Sequence, residues 1–409
     1  MHSLFRRAKA PSPAAYPPAP MPMLSFPGKK ALRFAVVDTT AAEKDPGLAV
    51  LMLARTHVVD ASENARASAA ALRAYLRAIH AAKTNAAAPD QHKLCFAWRD
   101  AGDVESDKKK SSKAASSSSS AAAQGHSHTS LATEWAVALF AMAAELARVA
   151  AAEDRRDADG IRRACGALCD AAGALRAARA GAPDVVGDQM MCHMTDACLA
   201  VFERLMLAQA LECYFELAVA GGKPPALCSK IARQVSLDYH EVFVKLGILQ
   251  QHQQPIDKSW APHAQGKAAY FDAEASLQLA RALREQGPGY VGEAVARLRH
   301  AASVLDAATG KTGPLPKKSS SSSCTVAAAL APVRDAAARL RKEVEAELAA
   351  AENDNCQVYY ERVPAADALR EMPALPESLV RPTAVEKLLK EPDGEPGVAN
   401  GGGAPAICH

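Results

Sequence analysis

The chain has 409 residues, of which 49% are hydrophobic, 23% charged and only 5% aromatic, with 48 basic against 45 acidic side chains and a net charge of +3. That apolar fraction excludes global disorder, and the near balance of charge argues against a nucleic-acid binder, which concentrates positive charge. Much of the apolar content is alanine, the best helix former but a small contributor of burial per residue, so stability must come from many helix contacts.

Residues 1–30 carry Arg6, Arg7, Lys9, Lys29 and Lys30 between prolines, and the first acidic residue is Asp38. This composition predicts a disordered Pro/Arg-rich arm. A plastid or mitochondrial transit peptide is the alternative, disfavoured by Pro11, Pro13, Pro17, Pro18 and Pro20, which break an amphipathic helix. His2 replaces the glycine that myristoylation needs, and Ala406 stands where a prenylation box has cysteine. One strand candidate, His92–Arg99, alternates apolar and polar residues, and Leu32–Val37 is its expected partner. Two serine-rich segments, at about 106–129 and 312–323, are expected to be solvated loops. A flexible tail is expected over 392–409, which leaves one domain over 31–391.

Helical periods fill the rest. Leu72, Leu76 and Ile79 share a face, and a second helix passes through Trp135, Leu139 and Met142. A third spans about 158–178, with Ile161, Leu168 and Leu175 at sevenfold steps. The longest, about 188–220, is apolar on most sides and belongs in the middle of a stack. Its charged residues Glu203, Arg204 and Glu212 argue against a membrane span, and no apolar run of that length is expected elsewhere. Pro224-Pro225 opens the next, to about Leu249. Lys267–Gln286 and Val291–Ala308 form an antiparallel pair about Gly287-Pro288-Gly289, similar to a tetratricopeptide unit. Leu330, Val333, Ala337, Leu340, Val344 and Leu348 mark the last long helix, which ends near Asn353-Asp354-Asn355 and leads into an extended segment, Val358–Pro364.

The chemistry-bearing residues are sparse. There is no phosphate-binding glycine loop and no nucleophile elbow. The ten cysteines are scattered, and the pair Cys165 and Cys169, one turn apart with Cys192-His193 nearby, is read as packed thiols before a zinc site. His126 and His128 sit in a serine loop without further fixed ligands, and His240-Glu241 lacks the second histidine of a zincin. His300 is read as an anchor between helices. The lysine runs at 108–110 and 317–318 are solvated or make weak contact with acidic membranes. No cofactor, metal or catalytic residue is expected.

The helix Leu205-Met206-Leu207-Ala208-Gln209-Ala210-Leu211-Glu212-Cys213-Tyr214-Phe215 resembles the signature helix of the BRO-one domain family, the ALIX/BROX-like endosomal targeting domains. Three further segments agree in the family's order. They are Leu94–Ala101 with Trp98 and Asp100 (Arg99 stands where the family has lysine), Val291–Leu298 followed by His300-Ala301-Ala302, and Glu347–Ala351 leading to Tyr360-Glu361-Arg362-Val363-Pro364. The resemblance implies an all-α fold, a curved helical solenoid with a tetratricopeptide-like core and a small N-terminal β-hairpin or sheet. It implies a non-enzymatic adaptor in endosomal, multivesicular-body sorting. Its groove would bind the C-terminal amphipathic helix of Snf-type ESCRT-III subunits, with Val201, Leu205, Met206 and Leu348 as the expected groove residues. Such a protein is cytoplasmic and recruited to endosomes, here by its partner rather than by a lipid. The alternatives are a generic tetratricopeptide-like peptide scaffold and an enzyme with a cryptic Cys/His site.

Overall fold

The computed structural model describes residues 20–33, 46–61, 64–84, 94–100, 126–181, 193–252, 254, 256–310, 312–315 and 324–390. The N-terminal end holds a three-stranded antiparallel sheet of β1 (Lys29–Ala31), β2 (Phe96–Asp100) and β3 (His126–His128) in that order. The helices follow as α1 (Pro46–Asp60), α2 (Ala65–Thr84), α3 (Leu131–Ala152), α4 (Ala158–Gly181) and α5 (Asp196–Ala220). The series continues with α6 (Pro225–Gln251), α7 (Trp260–Gln286), α8 (Val291–Thr309), α9 (Cys324–Asp354) and the short α10 (Val385–Leu388). Each helix from α1 to α9 packs on the next, as expected of a curved solenoid in which sequential elements share a continuous core.

Several expectations shift. The strand partner of β2 is Lys29–Ala31, with Ala31 opposite Trp98. Of the expected Leu32–Val37 strand, Leu32 only adds a backbone hydrogen bond to Ala97, and residues 34–37 lie outside the described part. Residues 20–30 are not an arm: Met21, Met23 and Phe26 are buried, and Phe26 stacks on Phe202 at 4.9 Å. Three apolar side chains spaced through a proline-rich stretch show no period, so composition hides them. His126–His128 is a strand rather than a loop, pairing with Phe96–Trp98. Helix α1 carries no polar face, which is why periodicity passes over it. The longest predicted helix begins at Asp196, capped by the Thr195 side chain, and residues 182–192 lie outside the described part. Conversely, α7 starts seven residues before its predicted start, at Trp260. Helix α3 is long and apolar enough to cross a membrane by length and composition, a point its alanines obscure in the sequence, but 72% of that window is buried in the fold.

A buried polar cluster ties the sheet to the rod. Arg55 of α1 donates to Tyr75 at 3.0 Å, to Ala97 O at 2.6 Å and to Glu134. Glu134 also accepts from Tyr75 at 2.6 Å and from the Trp98 indole at 2.8 Å, while His128 Nε2 lies 3.2 Å away. Burial opposes the charge of Glu134, but Arg55 and His128 outweigh it and hold the carboxyl below its usual range. His128 thus faces a carboxylate, and no group of three metal-ligating side chains occurs among the described residues.

After α9 a single π turn, Asn355–Tyr359, ends the last long helix with Tyr360 in the left-handed region. The chain then runs back along the rod as a strap over residues 361–390. Glu361 accepts from the backbone N–H of Gly289 and Gly292 at 2.6 and 2.8 Å, so a carboxylate caps the start of α8. A Cβ on Gly292 would sit 2.4 Å from Arg362 O, so only glycine admits the crossing. Farther on, Arg297 holds Arg370 O, and Arg73 and Arg77 of α2 hold the carbonyls of Leu388 and Leu389 at the end of α10.

Candidate docking face on helices α5 and α6

Helix α5 is apolar on nearly all sides and sits between α4 and α6. Its interior polar residues all have partners. Gln209 exchanges hydrogen bonds with the Leu24 backbone, which fixes the N-terminal segment. Glu212 accepts from Lys267 Nζ at 2.8 and 3.0 Å and from the Tyr239 hydroxyl, joining α5, α6 and α7 at one point. One turn later Glu216 accepts from Arg155 at 2.7 Å, and Arg155 also holds the carbonyl of Met21. Burial pushes the Glu216 carboxyl up to about 7, and the nearby Glu212 charge adds to it against the pull of Arg155. Burial likewise lowers the Lys267 ammonium, despite Glu212 beside it.

Three of the four expected groove residues belong to this core. Val201, Leu205 and Met206 are buried, Leu205 with 0% exposure, which corrects their place in an exposed groove. A side chain enclosed by neighbouring helices offers no surface to a partner, and an all-round apolar helix gives no sequence signal of which side faces out. Leu348 is half-buried on α9, which packs on α7 and α8. Val201, Leu205 and Met206 lie inside the hydrophobic core and Leu348 packs against that core from α9.

The outward apolar surface lies one helix later. Gly221 and Gly222 turn the chain after α5; Gly222 has φ +64°, a conformation that favours glycine, and Pro225 opens α6. The buried side of α6 is Cys228, Ile231, Val235, Tyr239, Val242, Leu246 and Leu249. Ser229 and Ser236 donate to Ala275 O and Ala268 O at 2.8 and 2.9 Å, where α6 and α7 pack closely. Opposite runs a stripe of Leu227, Leu237, Val244 and Ile248, with exposures of 38, 37, 46 and 49%. Steps of ten, seven and four residues keep these within about 100° of one another around the helix. Lys230, Gln234 and Glu241 lie on the same arc. Tyr214 and Leu217, half-buried at the end of α5, and exposed Val219 add apolar surface beside the turn.

Charges border the stripe. Arg204 holds Asp238 and Glu241, each at 2.7 Å, and Lys245 reaches Glu241 at 2.7 Å. Burial raises the Asp238 carboxyl against the Arg204 charge. Burial also opposes the charge of Glu241, but Lys245 and Arg204 prevail and lower it. The other candidate residues are structural or outlying. His300 lies 3.1 Å from Asp272 and anchors α8 to α7, and His240 is exposed on α6 without a second ligand-forming histidine beside it in the sequence. The lysine runs lie outside the described residues.

The architecture matches known proteins. The family model for the BRO1-like domain covers residues 29–398. The chain is 34% identical over 258 residues to the vacuolar-sorting protein BRO1 of Arabidopsis thaliana, covering 63% of this chain and 28% of that protein. It is 30% identical over 250 residues to the pH-response regulator protein palA/RIM20 of Emericella nidulans, covering 60% and 26%. The chain thus spans about a quarter of the length of these relatives. Among solved structures, the ALIX BRO1 CHMP4C complex superposes with a TM-score of 0.70 at 20% identity, covering 88% of this chain and 95% of that one. A Bro1 domain solved as the structural basis for endosomal targeting gives 0.67 at 14% identity, covering 90% and 95%. At these identities the superpositions speak for the fold, while the family model speaks for descent. With the model matched across most of its length, the chain belongs to the BRO1-like domain family.

Proposed function

We propose that this chain is a non-enzymatic adaptor of endosomal sorting that docks the C-terminal amphipathic helix of a Snf-type ESCRT-III subunit along the outward stripe of α6 and the end of α5. The observation that carries the reading is the stripe itself. Four large apolar side chains at helical spacing face solvent on a helix whose opposite side is fully packed. A partner helix with apolar residues at three- and four-residue steps buries such a stripe, and Lys230 and Glu241 within its arc, with Arg204 and Lys245 beside it, set its register. Family membership supports the same reading, as does the shared fold with a BRO1 domain solved together with CHMP4C. One relative is a tyrosine-protein phosphatase of Mus musculus, but the match covers only 14% of that protein and lends no catalytic site to this chain. The protein then works in the cytoplasm and reaches endosomes through its partner.

Calorimetry with a synthetic peptide of an ESCRT-III C-terminal helix tests the proposal. Saturable binding that Val244→Asp removes supports it, and no heat at high micromolar peptide overturns it. Equal binding of a scrambled amphipathic peptide points instead to a generic tetratricopeptide-like scaffold.

A further inference from the structure

The described chain begins at Pro20, on a course that leads toward the outward surface of α5 and α6. The Leu24 backbone exchanges hydrogen bonds with Gln209. Met23 Sδ lies 3.9 Å from Lys267 Nζ, which is paired with Glu212. The Met21 carbonyl is held by Arg155, which pairs with Glu216. Gln209, Glu212 and Glu216 follow at three- and four-residue steps and so share one face of α5. From Leu24 back to Met21 the chain therefore descends that face, turn by turn, toward the C-terminal end of the helix. The next position on the face is Val219, 40% exposed beside the turn into α6.

The sequence ahead of Pro20 carries what an apolar stripe accepts. Met1, Leu4, Phe5 and Ala8 stand at i, i+3, i+4 and i+7, an apolar arc of about 100°, with Arg6 and Arg7 on the other side. Pro11 stops that period. We propose that residues 1–10 fold back as a short amphipathic helix on the outward stripe of α6, so that the chain covers its own docking face until a partner displaces the segment. The displacement rests on the docking function proposed for the stripe; the contact does not. The lengths agree. Met1 to Ala8 span ~10 Å on a helix, the separation of Leu237 and Val244 along α6. Leu237 and Val244 lie ~15 and ~26 Å beyond Leu227, the stripe residue nearest the turn. Pro-rich linkers extend at about 3.1 Å per residue, so the ten residues from Ala10 to Pro20 reach ~31 Å, with a margin for rounding the turn. A ten-residue helix is marginal in water by itself, and burial of Leu4 and Phe5 on α6 holds it. A linker this short gives an effective concentration in the millimolar range. A weak contact therefore suffices, and an outside helix has to compete with it.

The test uses the full chain. A photoreactive benzophenone side chain replaces Phe5, and the cross-linked peptides are mapped by mass spectrometry. The expected result is cross-links within one chain to residues 227–248, lost in Val244→Asp and in Leu237→Asp. Cross-links scattered over the surface, or formed between chains and lost on dilution, overturn the contact. Calorimetry with the ESCRT-III helix peptide then compares the native chain with a variant carrying Leu4→Asp and Phe5→Asp. The variant is expected to bind about threefold tighter or more. Equal affinity, with the cross-link to α6 in place, overturns the displacement. No heat from either chain, with that cross-link in place, overturns the docking function and leaves the contact standing.

Discussion

Helices α5 and α6 are neighbours of similar length, 25 and 27 residues, and both are rich in apolar side chains. Yet α5 is enclosed and α6 is not. Helix α5 lies between α4 and α6 and also carries the N-terminal segment through Gln209. Helix α6 has its densest packing on α7 and leaves Leu227, Leu237, Val244 and Ile248 outside. Equal hydrophobicity thus serves two ends. On α5 it holds the rod together, and on α6 part of it stays exposed to solvent.

Substitutions separate the two. Leu205→Asp places an unpaired charge in the enclosed helix and should cost more than about 4 kcal/mol. Loss of the helical circular-dichroism signal or of soluble protein is the expected outcome, and a folded variant would show that α5 is not closed off. Glu212→Gln leaves Lys267 and Arg155 short of a buried counter-charge and should cost about 3–5 kcal/mol, read as a shift of the urea midpoint.

Glu216 marks the place where α5 begins to open. Its carboxyl is raised to about 7 in the folded chain, above the ordinary glutamate value of 4.5. The folded state therefore holds this proton at higher pH than the unfolded state. The group's penalty grows as pH rises from about 4.5 to about 7 and is complete above that, at most about 3 kcal/mol. Glu216→Gln should flatten stability across that window, measured by urea unfolding at pH 5 and pH 8.

The smallest effect on folding belongs to α6. Leu237→Asp should leave stability within about 0.5 kcal/mol while weakening the ESCRT-III peptide about tenfold or more, equivalent to about 1.4 kcal/mol. A large loss of stability would place Leu237 in the core and remove the contrast between the helices.

The segments that resemble the family hold crossings of the chain. Trp98 donates to Glu134, Glu212 gathers Lys267 and Tyr239, and Glu361 caps the start of α8 at Gly292. Such residues are legible because few types can fill these places. A buried carboxylate needs its cation, and a close backbone crossing needs glycine. The outward stripe has no comparable signature. Leucine, valine and isoleucine read the same whether covered or bare, which is why the sequence does not distinguish buried Leu205 and Met206 from exposed Leu237 and Val244.

From the amino-acid sequence alone come the helical array, its approximate boundaries and the antiparallel turns, because periodicity, capping residues and glycines act within a few residues of themselves, while the family comes from the resemblance of four segments to the BRO-one domain. Tertiary structure alone decides that residues 20–30 join the core, that His126–His128 completes the sheet, that the strap returns to Cys169, and that α6 rather than α5 faces out. Each depends on contacts between segments far apart in the chain. Exposure is a property of what neighbours leave uncovered, and no local pattern records it.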